Sequence, residues 1–143
     1  MMFITRECDY GIRVIRALAD GTKKSSRVIA LEEKIPHKFA SKVIRKLERA
    51  DYIQSTRGRN GGYWLCRPLN TITMVDIISA IDATRCLNEC LSKDSKCVFK
   101  GSPEQPCAVH IELVHAQDML ISMLSKKTMD VVLEPVFNKH NTV

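Results

Sequence analysis

Apolar residues recur along this chain with a helical period, and the breaks in that period mark its elements. Between Asp9 and Ala19, Gly11, Val14, Ile15 and Leu18 fall on one face, which predicts an amphipathic first helix ended at Gly21. Ser25 and Ser26 are N-cap residues for a short second helix over Arg27–Lys34, with Ile29 and Ala30 facing inward. Ile35 and Pro36 then interrupt the chain. Pro36 suits the first turn of a third helix, where its missing N–H costs no helical hydrogen bond, and that helix is expected to run to Ala50. Its apolar stripe is Phe39, Ala40, Val43, Ile44 and Leu47, and the opposite side carries Lys38, Ser41, Lys42, Arg45 and Arg49.

The rhythm changes at IQSTRGRNGGYWLCRP, where two short strand-like runs flank RGRNGG. Gly58, Gly61 and Gly62 are expected to supply positive φ angles for a tight turn, with Arg57 and Arg59 at its tip. Thr71 or Thr73 caps a fourth helix through Ala83, with Met74, Ile77, Ile78 and Ile81 inward. Periodicity then dissolves from Thr84 to Pro106, a length without regular structure that usually marks a functional or a disordered segment, and the cysteines point to function. It resumes over Ala108–Lys126, where Val109, Leu113, Ala116, Leu120 and Met123 alternate steps of four and three and so form a seam. The residues after Phe137 are polar and are expected to fray.

Charge adds direction to this picture. Residues 1–70 hold 15 basic against 7 acidic side chains, a net of +8, and residues 71–143 hold 7 against 9, a net of −2. A positive field confined to one half attracts a polyanion, either nucleic acid or an anionic surface. Two short helices joined by a tight break, the second cationic on its outer face, followed by a basic glycine-tipped hairpin, have the layout of a winged helix-turn-helix. In that reading Lys38, Ser41 and Lys42 reach base edges in the major groove of double-stranded operator DNA and Arg45 reaches phosphates. Arg57 and Arg59 lie along the backbone or minor groove. The fold expected is mostly α with a small β-hairpin, a winged helix-turn-helix plus a long C-terminal dimerisation helix. Its parts are a DNA-binding domain (1–83), a cysteine-rich sensor loop (84–107), the dimerisation helix (108–127) and a C-terminal tail (128–143).

No uninterrupted apolar run is long enough to span a bilayer, and Arg6, Glu7, Asp9, Arg13 and Arg16 break up the N-terminal stretch, so a cytoplasmic protein without a membrane partner is expected. In a reducing compartment, six cysteines point to metal binding or redox chemistry rather than a disulfide framework. Cys107 and His110 stand i and i+3 at the start of a helix, so both side chains leave one face and suit a shared metal. Cys8 and Cys66 are expected to pack as small hydrophobes, and His37 and His115 to be ordinary surface or seam residues.

The strings FITRECDYGIRVIRALA, IPHKFASKVIRKLERADYI, STRGRNGGYWLCRP and ITMVDIISAIDAT resemble, in this order, the Rrf-two family of winged-helix transcription regulators, with RGRNGGYWL the most specific piece. The resemblance implies a homodimer with a long helix crossing to the partner, and operator binding controlled in many members by an iron–sulfur cluster (2Fe-2S or 4Fe-4S) that oxygen strips readily. Members that carry a cluster use three cysteines of the corresponding loop. The resemblance carries Cys97 and Cys107 over directly. For the third ligand, spacing favours Cys90, while local similarity around DATRC favours Cys86. The fourth ligand varies in the family; His110 is the local candidate, and Asp9 stands where some members place an acidic ligand. Three thiolates and one weaker donor leave an exposed iron suited to sensing nitric oxide, oxygen or iron supply.

Other readings of the thiols are a structural zinc held by three cysteines and a histidine, a reversible disulfide that senses oxidants, or a loop that binds nothing. Catalysis finds little support: there is no C-x-x-C pair, no dinucleotide or P-loop glycine string, and no Ser-His-Asp or paired-carboxylate grouping. An adaptor that kept the winged helix but lost DNA binding is the remaining rival.

Overall fold

The hydroxyl of Thr5 accepts from the backbone N–H of Cys8 at 3.3 Å, and with Glu7 and Asp9 in the first turn this starts helix α1 at Arg6, ahead of the expected Asp9. The computed structural model describes residues 3–99, 101–102 and 104–140. Helix α1 (Arg6–Ala17) is followed by α2 (Ser26–Glu32), capped by Ser25, and by α3 (His37–Arg49), for which Pro36 is the cap. The antiparallel pair β1 (Ile53–Thr56) and β2 (Gly62–Leu65) comes next, in the register Ile53↔Leu65 through Thr56↔Gly62. A 3-10 turn at Leu69–Thr71 leads to α4 (Met74–Ile81). Thr73, not Thr71, caps α4 through a reciprocal capping box with Asp76. The side chain of Asp82 accepts from the Thr84 N–H at 2.9 Å, an Asx turn that stops α4 two residues short of Ala83. Helices α5 (Ala108–Ser125) and α6 (Met129–His140) complete the chain.

The break between α2 and α3 does not come from Pro36 alone. Lys34 adopts φ +53°, Ile35 N–H donates to Ala30 O at 2.9 Å, and Ile35 is buried, which together make a Schellman C-cap. The same device ends α3. Asp51 has φ +59°, and Tyr52 N–H donates to Leu47 O at 3.0 Å.

The core gathers Cys8, Val14, Ile15 and Leu18 of α1, Ile29 of α2, Ala40, Val43, Ile44 and Leu47 of α3, Ile53 of β1, and Ile77, Ile78 and Ile81 of α4. Phe39 was expected in the α3 stripe. It lies at the stripe's edge instead, 44% exposed, tilted against the Tyr10 ring with centroids 6.1 Å apart. Met74 is likewise half-buried. The expected C-terminal tail is largely the helix α6, whose Met129 and Leu133 enter this same core. Met129 N–H donates to Ile72 O at 2.7 Å, and a bridge between Thr128 and Thr73 fixes α6 at the start of α4. Residues 141–143 of that tail lie outside the described residues.

Within the hairpin turn only Gly58 and Gly62 have positive φ. Gly61 is required for close approach: a Cβ there would stand 2.5 Å from Thr56 O. No helix among the described residues is long and apolar enough to cross a membrane.

Candidate DNA-binding surface and cysteine cavity

Many basic side chains of the N-terminal half are already occupied inside the protein. Arg13 pairs with Asp9 at 2.9 Å and donates to Glu33 O at the end of α2, and Arg16 pairs with the Glu33 carboxylate. These cations lie at the helix C-terminus, where the macrodipole favours them, and the Glu33 contact raises the Arg16 pKa further. Lys24 donates to Ala17 O at 2.6 Å and pairs with Asp20 and Glu32. Lys42 and Lys46 both pair with Glu7.

Among the described residues, Lys38, Arg45 and Arg49 on α3 and Arg57 and Arg59 at the hairpin tip make no ion pair, and all five are exposed. Arg6, Lys23, Arg27 and Lys34 are also exposed and make no ion pair, so α3 and the wing carry five of the unpaired cations rather than all of them. Lys38, Lys42, Arg45 and Arg49, with Phe39, line a shallow groove of about 430 Å³ along α3, and Ser41 is half-buried beside them. The Ser26 hydroxyl and His37 Nε2 stand 3.1 Å apart and join the first turns of α2 and α3. The wing is tied to the body by a two-way backbone bridge between Lys24 and Tyr63. The Lys23 ammonium lies 4.7 Å over the ring of Trp64.

The segment from Thr84 to Pro106 is not featureless. It contains a 3-10 turn at Glu89–Leu91 capped by Asn88, and a bridge between Gly101 and Pro106. Leu87 N–H donates to the Gln117 side chain of α5 at 3.0 Å, fixing the root of the loop. Cys90, Cys97, Cys107 and His110 line one apolar cavity of about 440 Å³, together with Phe99 and Val109. His110 Nδ1 is enclosed and has no hydrogen-bond partner. Cys86 is buried and does not line this cavity, nor does Asp9, which is held by Arg13. No disulfide joins any of the six cysteines. Among the described residues, no three Cys, His, Asp or Glu side chains stand close enough together to enclose a metal ion. The donor types fit a thiolate-bound cofactor and four of them line this one cavity, without yet standing together as a ligand set.

Helix α5 buries none of its residues, and Val109 is 66%, Met119 73% and Met123 60% exposed. Of the expected seam, Leu113 and Leu120 are half-buried, and Leu120 packs on the core of its own chain.

Residues 4–135 match the family described as Rrf2, iron-dependent transcriptional regulator. The chain belongs to the Rrf2 family. Members of this family are transcription regulators rather than enzymes. The protein aau3 of Rhizobium meliloti is 28% identical over 132 residues, covering 90% of this chain and 83% of that protein. The solved structure of CymR, the global cysteine regulator of B. subtilis, superposes with TM-score 0.74 at 20% identity, over 94% of this chain and 98% of its own. T. potens IscR gives TM-score 0.71 at 20% identity, over 93% and 87%. At these identities the two structures establish the winged-helix fold.

Sequence reasoning passed over several residues that shape this Rrf2 regulator's surfaces. Lys46 follows Lys42 by one helical turn, so its place on that flank was legible. Glu7 and Lys23 act across long sequence separations and leave no local signal. Cys66 is not a buried hydrophobe. It is half-buried, and its thiol donates to Asp51 O at 3.1 Å. Cys8 is fully buried, as expected.

Proposed function

We propose that this regulator binds near-palindromic operator DNA as a homodimer in the cytoplasm and that the cysteine cavity sets its affinity by holding an iron–sulfur cluster. Lys38, Ser41 and Lys42 read base edges in the major groove, Arg45 reaches phosphates, and Arg57 and Arg59 lie along the backbone or minor groove. The apolar outer row of α5, with Val109, Met119 and Met123, faces the second subunit. What carries the sensing part of the reading is the convergence of Cys90, Cys97, Cys107 and His110 on one apolar cavity, with an unpartnered imidazole nitrogen at its edge.

A cluster bound there would supply an iron site that responds to oxidants, nitric oxide or iron supply. The chain's own residues do the rest. Cys107 and His110 at the start of α5 link the cavity to the dimer helix, and the loop connects it to the end of α4 and thus to the body that carries α3.

Protein purified without oxygen, with ultraviolet–visible spectra and iron and sulfide assays, tests this reading. Wild type and Cys86→Ser are expected to hold matched iron and sulfide with visible absorbance, and Cys107→Ser to lose them. A colourless, iron-free wild type overturns the cluster.

A second reading is supported by the half-exposure of Cys90, Cys97 and Cys107, which leaves their thiols open to oxidants. Iron-free protein that forms a disulfide among these three on peroxide treatment, seen by mass spectrometry, would establish it.

A further inference from the structure

Glu7, in the first turn of α1, divides its carboxylate between two lysines one turn apart on α3. One oxygen accepts from Lys42, and the other accepts from Lys46 at 2.7 Å. The two lysines differ in how firmly they are held. Lys46 has a second partner, Ile81 O at the end of α4, at 3.0 Å, and its side chain is 30% exposed. Lys42 has Glu7 alone and is 57% exposed. Its neighbours Lys38, Arg45 and Arg49 carry no such counter-charge. The Glu7 carboxyl titrates below its ordinary range, first because Lys42 and then because Lys46 hydrogen-bonds it, so it stays charged at neutral pH.

We infer that Glu7 is a specificity-determining residue, an internal substitute for phosphate that withholds Lys42 from any duplex offering phosphate contacts alone. This rests on the reading of α3 as the DNA-reading helix. A lysine that leaves a carboxylate for a phosphate exchanges one ion pair for another and gains little. A lysine that leaves it for the neutral O6 and N7 acceptors of a guanine gives up the ion pair but gains two hydrogen bonds, and only where the sequence presents that edge. Lys46, fixed by Ile81 O, keeps Glu7 compensated when Lys42 departs. The carboxylate thus turns Lys42 from a contact that strengthens binding to all DNA into one that counts on matched DNA.

The test compares wild type, Glu7→Gln, Lys42→Ala and the double variant on two labelled duplexes across a salt series. One is poly(dA-dT), whose base pairs lack the paired O6 and N7 acceptors of guanine, and the other is a duplex enriched by the wild-type protein from a random-sequence library. Glu7→Gln is expected to tighten poly(dA-dT) binding about two- to five-fold, the range of one partly exposed ion pair, and to steepen its salt slope by about 0.9. The enriched duplex should gain less, and the double variant should match Lys42→Ala. Glu7→Asp, which keeps the charge on a shorter arm, serves if Glu7→Gln does not fold, and an intermediate gain is expected from it. An equal gain on both duplexes makes Glu7 a general repulsive charge and overturns the inference. No gain on poly(dA-dT), with Lys42→Ala still weakening the enriched duplex, overturns it while leaving the DNA reading of α3 intact. A wild-type protein that enriches no duplex overturns both.

Discussion

Lys24 and Tyr63 exchange both backbone hydrogen bonds, Lys24 N–H to Tyr63 O at 3.0 Å and Tyr63 N–H to Lys24 O at 2.7 Å. The second strand of the wing is thereby stitched to the segment just before α2, and the arginine-bearing tip is held in fixed relation to the helix-turn-helix. Gly62 makes this approach possible. Its φ is +148°, and a Cβ there would stand 2.9 Å from Lys24 O and 3.0 Å from Lys24 C, both backbone atoms. Gly62→Ala should therefore cost about 1–3 kcal/mol in urea unfolding, as overpacking and backbone strain do. It should also weaken DNA binding beyond the global loss. An alanine variant as stable as wild type would show that the bridge can open freely.

The two Schellman caps invite the opposite experiment. Lys34 occupies a left-handed conformation that costs an L-residue roughly 1–2 kcal/mol, partly offset by the greater freedom glycine has in the unfolded chain. Lys34→Gly is expected to raise stability by about 0.5–1 kcal/mol in urea unfolding. Unchanged or lowered stability would mean that the lysine side chain contributes more than its backbone costs.

These caps also show what the sequence could and could not reveal. The helical stripes, the serine and threonine caps and the glycine-tipped hairpin are local patterns, and the helix-turn-helix and wing follow from them. The two helix stops at Lys34 and Asp51 lack the glycine that advertises such a turn, so only Ile35 and Pro36 were visible as a break. Helix α6 was obscured by the Lys126-Lys127-Thr128 interruption, by the polar residues beyond Phe137 and by Pro135 inside it, although Met129, Val132 and Leu133 keep the helical spacing. In the cysteine loop, donor types were legible but their grouping was not, because an aperiodic segment gives no phase from which to decide which side chains meet. Cys86 shows the difficulty: by local similarity it ranked as a ligand, and it lies buried away from the cavity lined by the other three loop cysteines.

The dimer helix can be tested at positions that separate association from folding. Leu120, a member of the expected seam, packs on its own core, so Leu120→Lys is expected to destabilise the monomer itself. Met119 is 73% exposed and lies outside the core, so replacing it should leave the fold of the monomer intact. If the outer row of α5 is the interface, Met119→Lys converts a dimer to a folded monomer in sedimentation, with an unchanged circular dichroism spectrum. A Met119→Lys protein that remains dimeric removes this face from the interface.

Acid titration separates the two consequences of Glu7. Its folded-state pKa is depressed by hydrogen bonds from Lys42 and then Lys46, so the stability it contributes is present above the unfolded carboxyl pKa and is lost as pH falls through the folded value. Both lysines are partly solvent-exposed, so the contribution should be modest, a few tenths to about 1 kcal/mol. Glu7→Gln should therefore be less stable than wild type at pH 7 and equally stable at a pH well below the carboxylate range. Measured at neutral pH, the same variant is expected to bind non-specific DNA more tightly while folding less stably. A residue that only braced α1 against α3 would lose stability and DNA affinity together. Urea unfolding at the two pH values, alongside binding to poly(dA-dT), distinguishes these cases by the sign of the affinity change.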